Sequence, residues 1–511
     1  MNFGWAAAAA AAFAAPAGAQ WHQASSKHFV IYGDMPEAEM RDYAERLEKF
    51  DAAARVVRSM TDPVVGDGNR VQVFVASSML EVNRLYGGNA DTGILGYYVG
   101  NASGPFIVTP RKIRRFRDGS TQDPDTTFFH EYTHHLQLQS TNKPMPAWLS
   151  EGFAEFLSDP IFGPDGSVGL GTPVKDRAEQ IYQAKWAPLA ALLEGDAYKL
   201  SYNDFWHQNY AQGWLLNHYL AFEPSRRGQI DAYVKRIEAG EPPLTAARAA
   251  FGDIRALEKE LIAYKSTKKF PYLKVETAKL KVEPVTVTRL ATGAAEAMPY
   301  RIHVKTGYGA ASKRGVVAKL RDIAGRHPGD LLVLRTLAEA EFDNDNFDQA
   351  ANAADAALKI DPNSIEALIY KGRATMSRAK KAKDQNGFEA ARKLFVRANK
   401  LDPEDPEPLY LYFRSYVDSG AAAPRSALEA AKYAAVLAPR DYTIAGELVY
   451  EYLRQNKLNE AATTLKPVAY MPHFGQGRHN HALRVLALIE KGQRDEAMKL
   501  TDKELLEDDE G

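Results

Sequence analysis

The chain of 511 residues contains no cysteine. That absence excludes disulfides, cysteine-ligated zinc and thiol catalysis together, so a transition metal here must be held by histidine and carboxylate. An excess of either charge is also missing: 64 Lys+Arg face 65 Asp+Glu, a formal net charge of −1. Nothing in that balance points to nucleic acid or an anionic membrane surface as partner. Long apolar runs are scarce. The start, "MNFGWAAAAAAAFAAPAGAQ", is short for a bilayer span, which takes about 20 apolar residues, so no stable membrane span is expected. Ala17-Gly18-Ala19 ahead of Gln20 fits a cleavage site, and residues 1–19 read as a removed signal peptide, although no Lys or Arg precedes the apolar run. The expected location of the mature protein is then outside the cytoplasm, in a bacterial periplasm. The acidic end, "LLEDDEG", reads as a solvated tail.

A chain of this length exceeds one core, and its pattern changes along the way. "KHFVIYGD" and "NRVQVFVASS" read as strands, and "GILGYYVGNASGPFIVTP" as a hairpin around Gly100–Gly104. Met40, Tyr43, Leu47 and Phe50 recur at helical spacing between the first two strands. Helical patterns dominate from there to about residue 265, so residues 20–268 read as one α+β domain. Lys, Thr, Pro and Ala then loosen the pattern, and residues 269–325 read as a linker with some extended structure.

Residues 326–511 repeat. "NFDQAANAADAALKIDP", "GFEAARKLFVRANKLDP", "PRSALEAAKYAAVLAP" and "KLNEAATTLKPVAYMP" align on Pro362, Pro403, Pro439 and Pro472, at intervals of 41, 36 and 33 residues. Counting back from the first three prolines gives Ala350, Ala354 and Ala357, then Ala391, Phe395 and Ala398, then Ala427, Ala431 and Ala434. Small residues at fixed offsets let two helices approach closely, and proline ends each pair. The pattern resembles tetratricopeptide (TPR) repeats, with an insertion near "AKKAKDQNG" and a further helix pair at "HALRVLALIEKGQRDEAMKL". Such arrays bind protein partners on extended surfaces. Tyr410, Tyr412, Phe413 and Tyr416 could line that surface, but aromatics at this spacing more often pack repeat against repeat.

The chemistry concentrates in "FFHEYTHHLQLQS", residues 128–140. Asp123 can cap the helix, Pro124 suits its first turn, and Asp125 favours its positive end. His130 and His134, four apart, stack on one face and can reach a single Zn²⁺. Glu131, rotated from them, can take a proton from a metal-activated water. This is the H-E-x-x-H arrangement. His135 points about 100° away from His134 and is not expected to be a ligand. An ordinary polar helix face can carry the same four letters, so a third ligand must be found. The H-E-x-x-H-x-x-G-x-x-H pattern fails, because Gln137 and Ser140 stand at its last two positions. Downstream, "PAWLSEGFAEFLSD" offers Trp148, Leu149, Phe153, Phe156 and Leu157 as the apolar stripe of a second, antiparallel helix, with Glu151 and Glu155 on its other face. Gly152 would allow close approach.

"HEYTH" followed by "WLSEGFAEF" resembles the gluzincin metallopeptidases, the peptidase MA-like group related to thermolysin and aminopeptidase N. The resemblance implies a thermolysin-like α+β zincin domain ahead of an all-α TPR solenoid. It implies one Zn²⁺ held by His130, His134 and Glu151, with Glu131 as catalytic base and Glu155 hydrogen-bonding a ligand histidine. "NYAQGWLLNHYL" resembles the helix whose tyrosine stabilises the oxyanion in aminopeptidase N, a role that falls on Tyr210, with His207 and Tyr202 as alternatives; the lysine of that pattern is Gln212 here. No G-x-M-E-N segment precedes the motif, which leaves endopeptidase as the better reading. "GPFIVTP" is expected to be the edge strand that pairs with an extended polypeptide substrate. The expected function is an exported zinc metallopeptidase with interaction repeats. The alternative is a TPR scaffold whose protease-like domain is silent.

Overall fold

The computed structural model describes residues 20–502 apart from 88–95, 112–113, 116–120, 123, 141–144, 175–180, 183–185, 195–207, 268, 310 and 470–480. The leader, Asp123, Tyr202, His207, Pro472 and the acidic tail lie outside these residues. Strands β1 (Trp21–Ser25), β2 (Phe29–Asp34), β3 (Val71–Ala76), β4 (Tyr97–Val99) and β5 (Phe106–Pro110) join the strand Thr286–Arg289 in a six-stranded sheet. From one edge the order is Thr286–Arg289, β1, β2, β3, β5, β4. The pairs β2–β3 and β3–β5 are parallel and the others antiparallel. Thus β4 and β5 form the expected hairpin, with Tyr97 opposite Val108. The edge is β4, however. "GPFIVTP" lies inside the sheet, between β3 and β4, and cannot be the strand that takes a substrate.

Continuous apolar runs such as "FVIYG" and "VQVFVA" suit strands covered on both faces. One face sends Phe29, Ile31, Val73, Val75 and Ile107 against α1 (Glu37–Arg58) and α3 (Pro124–Ser140), while α2 (Met79–Tyr86) packs on the opposite face. The other sends Val30, Tyr32, Phe74, Phe106 and Val108 against Met298 and Ile302 of the helix Thr292–Lys305 and Leu320 of the helix Lys313–Arg326. The sheet-edge strand, the strand Leu273–Val275, the first of those helices and all but the last residue of the second fall in the stretch 269–325, so residues read from composition as a linker carry one cover of the sheet. Val317, Leu320, Met298 and Ile302 are buried there, while Lys274, Lys279, Lys281, Thr286 and Thr288, which suggested a loose segment, are exposed.

The rest of the chain is mainly helical. The C-terminal third is a TPR-like row of helix hairpins: Leu331–Asp343 with Phe347–Ile360, Ile365–Ala382 with Gln385–Leu401, Pro406–Asp418 with Arg425–Leu437, Tyr442–Arg454 with Leu458–Ala469, and His481–Glu490 with Arg494–Thr501. The small residues picked out by their offsets, Ala350, Ala354, Ala357, Ala391, Ala398, Ala427, Ala431 and Ala434, are fully buried between helices. The expected insertion lengthens the second hairpin to helices of 18 and 17 residues instead of forming a loop. Phe413 is buried, Tyr412 and Tyr416 meet edge to face within one helix, and Tyr410 donates to Glu447 of the next hairpin.

The array begins on the back of the sheet. There Lys305 bridges Glu339 and Glu366 at 2.8 and 3.1 Å, and Arg301 reaches Glu366 at 3.1 Å. Farther along, the array returns to the sheet's loops. Asp402 accepts the Gly68 N–H at 3.0 Å, Asn69 donates to the Glu404 carbonyl at 2.7 Å, and Asp441 accepts the Ala102 N–H at 2.7 Å. A Cβ on Gly68 would stand 2.6 Å from the Asp405 carboxyl carbon, so only glycine lets this loop seat.

His28 ties β2 to α1: its ring lies 2.7 Å from Glu48 and 3.0 Å from Asp62, and its N–H donates to Glu48 at 2.8 Å. Burial opposes protonation of His28, but the Glu48 hydrogen bond and the Asp51 charge outweigh it and raise the pKa. The contribution of protonated His28 to stability is complete below about pH 6.5 and is lost as pH rises through the raised folded value. Melting curves of wild type and His28→Gln are expected to differ most below about pH 6.5 and to draw together as pH rises through the raised folded value. A gap that does not change with pH contradicts this.

Candidate metal centre

Helix α3 is held by its apolar face. Phe128, Phe129, Tyr132 and Leu136 are buried against α1, with the Phe129 and Phe50 rings 4.3 Å apart. Tyr132 donates to Asp51 at 2.7 Å, and Asp51 also takes Arg55 Nε at 2.7 Å. Arg46 of α1 pairs with Asp125 in the first turn. These contacts set the rotation of α3, and the histidines one step round the helix are thereby turned toward α4 (Ala147–Leu157).

Helix α4 is wedged between α3 and the helix Gln208–Phe222. Its closest approach is to the latter, where a Cβ on Gly152 would lie 2.2 Å from the carbonyl carbon of Gly213. The glycine therefore admits the tyrosine-bearing helix, not α3 as the sequence suggested. Trp148, Leu149, Phe156 and Leu157 are buried, with Trp148 against Tyr233 and Phe251. Glu151 and Glu155 are buried as well.

At the meeting of α3 and α4, His130 Nε2 and His134 Nε2 are 3.2 Å apart, and each is 3.4 Å from Glu151 Oε2. Among the described residues this is the one group of His, Asp and Glu ligand atoms gathered tightly enough to share an ion. A tetrahedron with bonds of about 2.0–2.1 Å has edges of about 3.3–3.4 Å, so the three separations fit a zinc ion's ligand set. The tautomers agree. His134 Nδ1 faces Gln137 Oε1 at 3.1 Å, and His130 Nδ1 faces Glu155 Oε1 at 3.4 Å. With each Nδ1–H given to an acceptor, both Nε2 lone pairs point at the carboxylate. Three donor atoms so placed could hold a metal ion. Burial disfavours charge on His130, yet Glu151 and Glu155 outweigh it and carry its pKa up to about 10.

Gln137 was not singled out as a site residue from the sequence. Its Oε1 also accepts from Ser150 Oγ at 2.8 Å, and its Nε2 donates to the Ser150 carbonyl at 2.9 Å, so it fastens His134 to α4. Its place three residues after His134 on a helix was the available signal. Tyr210 is half-buried with its ring 5.9 Å from that of His130 and nearly parallel to it. Gln212, where the resembled pattern has lysine, is fully buried and makes a two-way amide pair with Ala187, accepting at 2.7 Å and donating at 3.0 Å. His135 faces away from the three ligand atoms: it is 2.9 Å from the Tyr98 hydroxyl, and burial and nearby cations push its pKa down to about 3. Glu131 is half-buried next to His130 and one turn before His135, and its charge acts on Tyr98 and on Arg440 of the array. Nothing in the sequence linked Arg440 to this helix.

In competition titrations with a zinc indicator, Gln137→Ala and Glu155→Ala are expected to lower zinc affinity by roughly 10–100-fold, and Glu151→Ala to abolish stoichiometric binding. If Glu155→Ala empties the centre while Glu151→Ala spares it, the third ligand has been placed one turn too early.

No protein-family model matches the chain, and no curated protein matches it. Among solved structures it is similar to a thermophilic TPR protein of Thermus thermophilus, at 14% identity and a TM-score of 0.32, over 40% of this chain and 98% of that one. It is similar to a segment of MamA from Desulfovibrio magneticus, at 20% identity and a TM-score of 0.28, over 35% of this chain and 97% of that one. It is also similar to yeast Tom70, at 13% identity and a TM-score of 0.26, over 72% and 73% of the two chains.

Proposed function

We propose that the protein is a zinc-dependent peptidase, most simply an endopeptidase, with a helix-hairpin array for protein contacts. The observation that carries the reading is the trio of ligand atoms 3.2–3.4 Å apart, with both imidazole Nδ1 atoms turned to acceptors. Zinc bound there would polarise a peptide carbonyl and acidify water. Glu131, beside the ligands but not among them, takes the proton of the attacking water and returns it to the leaving amine. The Tyr210 phenol, stacked near His130, donates to the carbonyl oxygen as charge develops on it. Glu155 and Gln137 hold the two imidazoles so that neither must reorient during a cycle. Residues 1–19, read as an export signal, put this activity outside the cytoplasm.

A second reading is favoured by the array itself: a row of hairpins is an extended surface for a protein partner. In that case the sheet and its histidines serve as a silent support. Bound zinc and casein cleavage separate the two. Wild type is expected to purify with one zinc per chain and to cleave casein, and Glu131→Gln to keep the metal while losing at least about a hundredfold in rate. Equal rates in both remove Glu131 from the chemistry. A chain that holds no zinc and cleaves nothing is the scaffold.

A further inference from the structure

The array places a charged side chain beside the metal centre. Arg440, in the turn before the helix Tyr442–Arg454, is 7% exposed, and its Nη2 donates to the His134 carbonyl at 3.3 Å. Its guanidinium lies over the Tyr98 ring at 5.3 Å. Among the described residues no carboxylate comes within ion-pair distance of it, and its buried Nε–H has no acceptor. Burial therefore weighs against its charge, relieved only by the more distant Tyr98, Glu131 and Glu151.

Arg440 lines a cavity of about 710 Å³ between the array and the sheet domain, with Tyr98 and His135 on the α3 side and Val64, Val436 and Pro467 among its apolar lining. Two acidic residues also line it, and both are engaged: Asp441 holds Ala102 and Ile444 N–H groups, and Glu404 takes the Tyr433 hydroxyl. A buried guanidinium without a carboxylate is costly, and a planar carboxylate is the group whose geometry it matches. His135 of α3 lines the cavity, one helical turn after Glu131, and the Arg440 contact with the His134 carbonyl ties this side of the cavity to the helix that carries the histidines.

We propose that Arg440 is a carboxylate-binding residue of the substrate cleft, contributed by the array, and that the substrate is a peptide presenting a carboxylate there. The inference rests on the peptidase reading for what the carboxylate belongs to. The carboxylate comes either from a free C-terminus or from an Asp or Glu side chain.

The test uses the full chain carrying Glu131→Gln, with zinc added, so that binding is read without turnover. Two acetylated peptides differ only in a C-terminal carboxylate or carboxamide. Isothermal titration is expected to give roughly ten- to hundredfold tighter binding of the carboxylate, and Arg440→Gln to bring the ratio close to one. A second pair, both amidated and carrying Asp or Asn, reads the side-chain source; a preference for Asp that is lost in Arg440→Gln supports the site with that ligand. Arg440→Lys is expected to retain part of either preference. Equal affinities within both pairs overturn the inference, as does a preference that survives Arg440→Gln. Removing an unpaired buried cation is expected to leave Tm unchanged or raise it, whereas a Tm lowered in both Arg440 variants assigns the residue to folding and also overturns it. If casein cleavage fails but this preference holds, only the peptidase reading falls; cleavage without the preference sinks only the carboxylate site.

Discussion

Two imidazole nitrogens and a carboxylate oxygen are held 3.2–3.4 Å apart in a buried position, where the carboxylate charge attracts either a proton on His130 or a shared cation. Much of the N-terminal half can be understood as the means of imposing that proximity. The aromatic face of α3 is seated on α1 and the sheet, which leaves His130 and His134 no freedom to turn away. The Gly152–Gly213 contact brings α4 and the tyrosine-bearing helix close together, so that Glu151 meets His130 Nε2 while the Tyr210 ring lies nearly parallel to the His130 ring. Gln137 and Glu155 then choose the tautomer.

The parts of this arrangement that could be read from sequence are those with short-range periodicity. Four-residue spacing puts His130 over His134 and Glu151 over Glu155, and a following helix brings the second pair to the first. The alanines at repeated offsets foretold the hairpins for the same reason: each is a local packing requirement that recurs. Non-local pairing was not legible. The edge of the sheet is decided by which strand finds no further partner, so "GPFIVTP" was placed one strand too far out. The stretch 269–325 looked loose because its polar residues outnumber the few, such as Met298 and Leu320, that cover the sheet. Arg440 is 306 residues from the carbonyl it meets, and no spacing rule spans that distance.

The array and the sheet domain share more than a tether. A buried ionic cluster around Lys305 and Glu366 joins them behind the sheet, and loop contacts through Asp402 and Asp441 join them near α3. Buried ion pairs of this kind stabilise little in themselves, but breaking one side strands a charge, so they specify one docking geometry over others. The His130, His134 and Glu151 cluster and Arg440 thereby keep a constant relation although they belong to different parts of the chain.

The idea that everything else depends on is a single divalent ion shared by α3 and α4. Anomalous scattering from a zinc-grown crystal, collected on either side of the zinc absorption edge, tests it most directly. One strong peak within bonding distance of His130 Nε2, His134 Nε2 and a Glu151 oxygen is the expected result. A peak elsewhere, or these three side chains ordered around no metal at saturating zinc, would contradict it.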